Sequence, residues 1–413
     1  MNTVSRVIRN TGFLYMKMGV TMFISLYATR LVLNALGVDD FGIFNMVAGV
    51  IAMLAFLNAS MAAATQRFMS YAEGEGDPEK QKIVFNISVV LHLAIAVMVG
   101  ILLYAAAPIL FGHVLNIPED RVFAARCVYW AMIASTVFGI LGVPYEAVLN
   151  AHENMLYFAV IGVLESFLKL GAALLVVHVL ADKLILYGVL MAGISILAMT
   201  AMLVYCRRNY AECVIAPRRY WKRGVFREMG SFAGWNFTVS ASSMLSEYGV
   251  GIVLNHFFGV ALNAAQAVAQ QINGQTMAFS GTMLKALNPV ISKSEGAGNR
   301  GLMLRASLSG CKFAYLLMAV FAIPLILEAP GLLGLWLHSV PAWAVLFCRL
   351  QLARTLLEQL FLSLGSAIYA EGNIRLYTLV KTGSGILFLG ATWGFYRMGW
   401  SPCMMYVAAI LFV

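Results

Sequence analysis

Charge is scarce in this sequence, and the short motifs of nucleotide and metal chemistry are missing. Asp, Glu, Lys and Arg make up 11% of the 413 residues, whereas soluble globular chains carry about 25%. The sequence contains no Walker A, GxGxxG, HExxH or CxxC motif, so nothing in it indicates nucleotide hydrolysis, a metal site or a disulfide framework. We therefore predict a protein without a cofactor, a metal ion or catalytic residues.

Hydrophobic residues, by contrast, make up 61% of the chain. A soluble protein of this length could not bury so much apolar surface, so lipid must be the solvent of most residues. The first apolar run is too long for a cleavable signal peptide, and no small-residue cleavage site follows it. The composition predicts an all-α polytopic membrane protein.

Eleven apolar segments are long enough to cross a bilayer as helices, which takes about 20 residues. A twelfth begins near Trp400, and we expect the sequence to end inside it. Numbered in chain order, the segments are 11–36, 42–66, 83–107, 122–146, 155–180, 184–206, 229–257, 261–286, 304–328, 341–368, 374–396 and 400–413.

Positive charge is concentrated on one side of these segments. The connector between segments 6 and 7, residues 207–227, carries seven Lys and Arg. Together with the other loops on the same side it holds sixteen Lys and Arg, whereas the loops on the opposite side hold three. Cytoplasmic loops carry such an excess, so we predict a cytoplasmic N-terminus. The loops between segments are short and hold turn residues at 37–40, 116–119 and 399–402. Because the charges lie in short loops beside apolar runs, they indicate topology and not nucleic-acid binding.

The two halves of the sequence resemble each other at a nearly constant offset. Val32-Leu33-Asn34 followed by Gly37-Val38 is echoed by Val253-Leu254-Asn255 followed by Gly259-Val260, and Cys127 is echoed by Cys348. A duplication of six helices gives two lobes of the same orientation, and such proteins usually bind substrate between their repeats and work by alternating access. We predict an N-terminal lobe 1–206, the connector 207–227 and a C-terminal lobe 228–413.

Ionisable residues inside the segments are the main chemical signal. A charge at the centre of a bilayer costs at least about 2.5 kcal/mol, so such residues face a protein interior or a wet cavity. Cations outnumber anions by seven to three, which favours an anionic cargo. The cations are Lys17, Arg30, Lys169, Lys312, Arg349, Arg354 and Lys381, and the anions are Glu165, Glu247 and Glu358.

Polar side chains also form stripes at helical spacing, which is typical of the wall of a water-filled cavity. Amides and hydroxyls suit sugars, and cations suit a phosphate. The stripes are Asn236, Ser240, Ser243 and Glu247 in segment 7, then Gln266, Gln270, Asn273 and Ser280 in segment 8, then Gln351, Arg354 and Glu358 in segment 10.

Each of these features has a structural alternative. Glu165 with Lys169, and Arg354 with Glu358, are one helical turn apart and can neutralise each other as ion pairs. The amides can serve as hydrogen bonds between helices. Three cations lie near segment ends, from which a long side chain can extend to the interface: Lys17, Arg30 and Lys381.

Three stretches of sequence resemble a known superfamily. LVLNALGVDDFGIFNMVAGV (31–50), ATQRFMSYAEGEGD (64–77) and VPYEAVLNAHENMLYFAVIGVLESFLKLGAALL (143–175) are similar to the polysaccharide branch of the multidrug/oligosaccharidyl-lipid/polysaccharide (MOP) exporters. Twelve spans in two similar halves around a basic connector also resemble these proteins. The resemblance implies a MATE-like fold and a bacterial inner-membrane location.

The resemblance implies a lipid-linked oligosaccharide flippase of the Wzx type, which serves O-antigen, lipopolysaccharide or other surface polysaccharide biosynthesis. Its partners would be an undecaprenyl-diphosphate-linked oligosaccharide, membrane lipids and polysaccharide polymerase machinery. The alternatives are an H⁺- or Na⁺-coupled multidrug antiporter and, from another class, a polytopic polysaccharide-modifying or polymerising enzyme. Segment 1 has Lys17 and Arg30 but no acid, which favours the flippase.

Roles for individual residues follow from the same reasoning. The cations expected to bind the diphosphate are Arg30, Lys169, Arg354, Lys17, Lys312 and Lys381, and the amides expected to bind sugar are Asn236, Gln266, Gln270 and Asn273. The candidates for coupling to a proton or cation are Glu165, Glu247 and Glu358.

Overall fold

The computed structural model describes residues 3–52, 54–115, 117–179, 181–337 and 340–412, and over these ranges the chain folds as helices. Asn116, predicted to lie in a turn, is outside the described residues. The helices are α1 (Thr3–Ala52), α2 (Ala55–Glu75), α3 (Pro78–Ile109), α4 (Val122–Ala151), α5 (Met155–His178), α6 (Lys183–Asn209), α7 (Arg223–Phe258), α8 (Val260–Gly296), α9 (Arg300–Leu327), α10 (Ala329–Trp336), α11 (Ala344–Gln359), α12 (Leu362–Glu371), α13 (Arg375–Arg397) and α14 (Met404–Leu411).

The predicted multi-pass, all-helical architecture is confirmed. Among the described residues, seven helical stretches are long and apolar enough to cross a membrane. They are Ser5–Ala52, Pro78–Gly112, Glu119–Ala151, Met155–His178, Lys183–Asn209, Arg223–Phe258 and Arg300–Leu327. Of the other predicted segments, segment 2 is divided between the end of α1 and the start of α2, and segments 8, 10, 11 and 12 fall on helices that are shorter or more polar, namely α8 and α11 to α14.

Two glycines at equivalent positions of the predicted repeat adopt the same unusual backbone conformation. Gly37 interrupts α1 with φ 80° and ψ 172°, and Gly259 separates α7 from α8 with φ 80° and ψ −176°. Residues with a side chain rarely adopt this region. The shared geometry supports a duplication. It also corrects the turn predicted for residues 37–40, because Asp39 and Asp40 are already helical.

Segment 10, predicted as one helix over 341–368, is broken in its middle. It consists of α11 and α12 with Leu360 and Phe361 between them, where the Phe361 N–H donates to the Glu358 carbonyl in a tight turn. No glycine or proline marks this break in the sequence. Polar helical ends also extend past the predicted apolar segments, because α2 continues to Glu75 and α8 to Gly296.

The chain divides into two compact units, which we call unit 1 (Met1–Gly230) and unit 2 (Ser231–Val413). At one end of unit 1, Arg121 donates to Asp40 at 2.8 Å and to Asp182 at 2.8 Å. These three residues belong to the loops that the charge pattern predicts on the external side. Their contact agrees with the predicted alternation of loops within this unit.

The opposite end of unit 1 holds the basic connector. The Asn86 side chain donates to the carbonyl of Val214 at 2.9 Å and accepts from the N–H of Ala216 at 2.7 Å. The imidazole of His152 lies 2.5 Å from Glu212. Residues of the connector are therefore held against the start of α3 and the residues that join α4 to α5, which the charge pattern also predicts on the cytoplasmic side.

The packing of α8, α9 and α11 forms the centre of unit 2. Leu254 and Ala265 from the hairpin around Gly259 belong to one buried apolar cluster with Phe347 of α11 and Tyr406 of α14. This core holds the polar faces of α7, α8 and α11 in fixed positions.

Candidate functional site

Unit 2 contains a cavity of about 510 Å³ lined by α7, α8, α11, α13 and the C-terminal segment. Its lining is mixed, with hydroxyls and amides beside charged groups and a few apolar side chains. The polar lining residues are Ser242, Ser243, Ser246, Glu247, Gln270, Asn273, Gln351, Arg354, Glu358, Lys381 and Ser384. A surface of this kind can form hydrogen bonds with a polyhydroxylated ligand and has both signs of charge available.

The cavity brings together parts of all three predicted stripes. From α7 it takes Ser243 and Glu247, and from α8 it takes Gln270 and Asn273. All three predicted residues of α11 line it: Gln351, Arg354 and Glu358. Lys381 of α13, which was predicted separately from any stripe, completes the set.

Charges within the cavity are balanced in number, with two acids against two bases. Arg354 Nη2 lies 2.6 Å from Glu358 Oε1, so these two form the ion pair that their i,i+4 spacing allows. The Nε of Arg354 is buried, and no described residue accepts a hydrogen bond from it. In the described part of the chain, no opposite charge lies within ion-pair distance of Glu247 or Lys381.

Several predicted ligands are also structural hydrogen-bond partners. The hydroxyl of Thr355 donates to Oδ1 of Asn273 at 2.7 Å, with the Gln351 carbonyl at 2.9 Å as the alternative acceptor. The hydroxyl of Tyr369 donates to Oδ1 of Asn236 at 2.7 Å. Asn273 therefore joins α8 to α11 while lining the cavity, and Asn236 joins α7 to α12 outside its lining.

The remaining predicted residues of unit 2 lie elsewhere. Gln266 is buried outside the cavity lining, and Lys312 is exposed on α9. Arg349, an intramembrane cation in the sequence, donates from Nε to the carbonyl of Ile326 at 2.9 Å and from Nη2 to that of Leu327 at 3.3 Å. It therefore satisfies the last carbonyls of α9, which explains its presence without a ligand.

In unit 1 the predicted residues lie on α1 and α5, which pack against each other. Lys17 Nζ lies 3.8 Å from the ring centre of Phe158, a cation–π contact. Lys169 Nζ lies 2.7 Å from Glu165 Oε1. Arg30 is exposed on α1.

The sequence reasoning missed small residues that shape the cavity wall. A Cβ added to Gly385 of α13 would lie 2.7 Å from Oγ of Ser246 and 3.0 Å from Oγ of Ser242. This glycine therefore allows α13 to approach α7 closely. The signal in the sequence is the i,i+4 spacing of the two serines, both of which lie off the predicted stripe.

The profile of a family described as polysaccharide biosynthesis protein matches residues 7–295. Solved structures of MOP-superfamily transporters share the fold over nearly the whole chain. A MATE transporter in a bent conformation aligns with a TM-score of 0.85 at 15% identity, covering 98% of this chain and 91% of its own. A mutant MATE transporter from Vibrio cholerae aligns with a TM-score of 0.77 at 18% identity, covering 99% and 93%.

A further similar structure is that of a MOP-superfamily transporter from Pyrococcus furiosus, which has been described as having a binding pocket of reversed polarity that suggests a different function. It aligns with a TM-score of 0.76 at 14% identity, covering 98% of this chain and 92% of its own. No significant match was found among curated protein sequences. At these identities the structural likeness shows the fold alone.

Proposed function

The chain belongs to the polysaccharide biosynthesis protein family, in the polysaccharide branch of the MOP superfamily, and on that premise we propose that it is a lipid-linked oligosaccharide flippase. It moves an undecaprenyl-diphosphate-linked oligosaccharide from the cytoplasmic to the periplasmic leaflet of a bacterial inner membrane, for O-antigen or another surface polysaccharide. The proposal includes twelve spans in two six-helix lobes, 1–206 and 228–413, with a cytoplasmic N-terminus.

The observation that supports this function most directly is the mixed polar lining of the unit 2 cavity. Sugar hydroxyls both donate and accept hydrogen bonds, and the amides of Gln270, Asn273 and Gln351 offer both. Arg354 and Lys381 in the same wall supply the countercharge for a phosphate. The lipid tail needs no polar site, because it stays in the bilayer.

One observation favours the multidrug antiporter as a second candidate. Glu247 lines the cavity, and no described cation lies within ion-pair distance of it, so it is available to a cationic drug or to a coupling ion. The two cations of the cavity oppose such a ligand, and Lys17 and Arg30 add to the positive charge of α1. Drug sensitivity of a deletion strain with intact surface glycan would support the antiporter over the flippase.

We propose that the membrane potential drives transport. An anion that binds Arg354 must displace Glu358 from its ion pair, but no coupling ion has to be exchanged. The potential acts directly on the negative charge of the diphosphate and favours its outward movement by about 2.3 kcal/mol per charge per 100 mV.

The decisive experiment separates ligand binding by Arg354 from its ion pair with Glu358. Arg354→Ala alone leaves Glu358 without its partner, so we compare it with Arg354→Ala/Glu358→Ala, which removes both charges. Surface polysaccharide is measured in a deletion strain at matched membrane abundance, with exposed Arg305→Ala as the arginine control. If Arg354 binds the diphosphate, the single and the double variant both lower export by about tenfold or more.

A structural role gives a different pattern. Export would then recover in the double variant, because no uncompensated charge remains. The matched pair in unit 1, Lys169→Ala and Lys169→Ala/Glu165→Ala, is tested in the same way. Unchanged export in Arg354→Ala and Lys169→Ala together would refute the role of both cations.

A further inference from the structure

An open groove of about 830 Å³ runs along one exposed face of α6 in unit 1, and none of its lining residues belongs to the cavity described above. Its length follows a single helical stripe, since its residues recur at intervals of three or four: Gly193, Leu197, Thr200, Val204 and Arg208. Leu197 is 60% exposed and Val204 is 40% exposed. Gly193 and Arg208 are fifteen residues apart in the helix, which makes the groove about 22 Å long.

An aromatic pair forms a rigid wall near one end of this groove. Tyr157 stacks on Tyr205 with ring centres 3.6 Å apart and an interplanar angle of 13°. The hydroxyl of Tyr157 donates to the Ala201 carbonyl at 3.2 Å, and Nδ2 of Asn154 donates to the Tyr205 hydroxyl at 2.9 Å. Both rings are therefore held in place before any ligand binds.

The polarity of the groove changes along its length. Most of it is apolar, but it ends at Arg208 and Asn209, which are exposed at the C-terminal end of α6. In the part of the chain that the structure describes, no carboxylate lies within ion-pair distance of Arg208. This end of α6 leads into the basic connector, on the side predicted to be cytoplasmic. The groove thus combines an apolar trough with an unneutralised cation at its polar end.

We propose that this groove binds one anionic phospholipid of the cytoplasmic leaflet, with its phosphate on Arg208 and one acyl chain lying along the stripe from Val204 to Gly193. Basic sites between helices at the cytoplasmic face typically bind acidic head groups. One leaflet of hydrocarbon is about 15 Å thick, so the groove accommodates one acyl chain. A chain of eleven isoprene units is several times longer, which favours the phospholipid over the lipid-linked substrate as the occupant.

Two variants remove the two halves of the site separately. Arg208→Ala removes the countercharge. Gly193→Leu fills the far end of the trough, and a Cβ added at this position has no atom within 4 Å. Arg305→Ala is the charge control, and Gly390→Leu on α13, which also has no atom within 4 Å of a Cβ, is the matched control for added bulk.

The full-length protein is purified in neutral detergent and titrated with phosphatidylglycerol or phosphatidylcholine, and bound lipids are counted by native mass spectrometry. We expect one phosphatidylglycerol to be retained preferentially, with about fivefold weaker binding in Arg208→Ala. Gly193→Leu should lower retention of the same lipid, and both controls should bind it as the wild type does.

Three results would overturn the proposal. The first is equal retention of phosphatidylcholine and phosphatidylglycerol. The second is unchanged retention of phosphatidylglycerol in both groove variants. The third is displacement of that lipid by undecaprenyl diphosphate in the wild type but not in Arg208→Ala, which would assign the groove to the transport substrate. The measurement does not use export, so its outcome is independent of the proposed flippase function.

Discussion

Alanine substitution at Gly259 tests whether the two halves of the chain are built around equivalent hairpins. Gly259 has φ 80° and ψ −176°, and Gly37 has φ 80° and ψ 172°. This region of backbone space is essentially restricted to glycine. A Cβ at either position would have no atom within 4 Å. Any loss of stability in Gly259→Ala therefore comes from the backbone conformation and not from a steric clash.

The expected magnitude follows from that geometry. A residue with a side chain in this region costs about 1–3 kcal/mol. The matched control is Gly274→Ala in α8, because Gly274 is helical and also has no atom within 4 Å of a Cβ. Alanine in a helix interior is about 0.8–1 kcal/mol better than glycine. The two variants, only fifteen residues apart in the chain, should thus differ by about 2–4 kcal/mol in free energy of unfolding.

The assay is reversible unfolding of the purified protein in mixed micelles, followed by circular dichroism. Gly37→Ala should lose as much stability as Gly259→Ala, since the two glycines have the same conformation. Equal stability of Gly259→Ala and Gly274→Ala would refute the positive-φ conformation of Gly259. A large loss at one glycine with none at the other would refute the equivalence of the two hairpins.

Two further predictions concern pH and driving force. Asp182 is partly buried, which raises its pKa, but the N–H of Ile185 and the guanidinium of Arg121 outweigh this and hold the pKa below its ordinary value. The stabilisation by this carboxylate is therefore present above about pH 4 and is lost as the pH falls through the lowered pKa. Asp182→Asn should lower the free energy of unfolding by at most about 1 kcal/mol at pH 7 and should not lower it in strong acid. Unfolding measured at both pH values tests this. Collapse of the membrane potential at constant pH should reduce export of the lipid-linked glycan in vesicles, whereas equal loss from collapse of the pH gradient alone would contradict a potential-driven mechanism.

Much of the helical framework was predictable from the sequence, because apolar length and loop charge act locally. The break between α11 and α12 was not predictable, since Leu360 and Phe361 are ordinary helix residues and nothing in their local sequence stops a helix. The ends of α2 and α8 were also missed. Their last turns are polar, so a search for apolar runs stops before the helix does.

The candidate cavity was predictable only in part. Helical spacing identifies which residues of one helix share a face, and it placed Gln351, Arg354 and Glu358 correctly on one wall. Spacing cannot say which faces of different helices meet. Asn236 belongs to the same predicted stripe as Glu247 but is bonded to Tyr369 instead of lining the cavity. Such assignments depend on packing between helices, which one sequence does not encode in any local pattern.

Contacts in the structure change the meaning of the positive excess that the sequence shows inside the membrane. The guanidinium of Arg349 donates hydrogen bonds to carbonyls at the end of α9, and Lys169 and Arg354 form ion pairs with carboxylates. Lys381 is the cavity cation for which no described carboxylate lies within ion-pair distance.

An anion entering this cavity can therefore pair with Lys381 without breaking an existing contact, whereas binding to Arg354 must displace Glu358. Capture by Lys381 followed by transfer to Arg354 is the order of events that this arrangement favours. In the proposed flippase, Lys381 is accordingly the residue for initial binding of the phosphate. Arg354 is the residue whose engagement releases Glu358 from its ion pair.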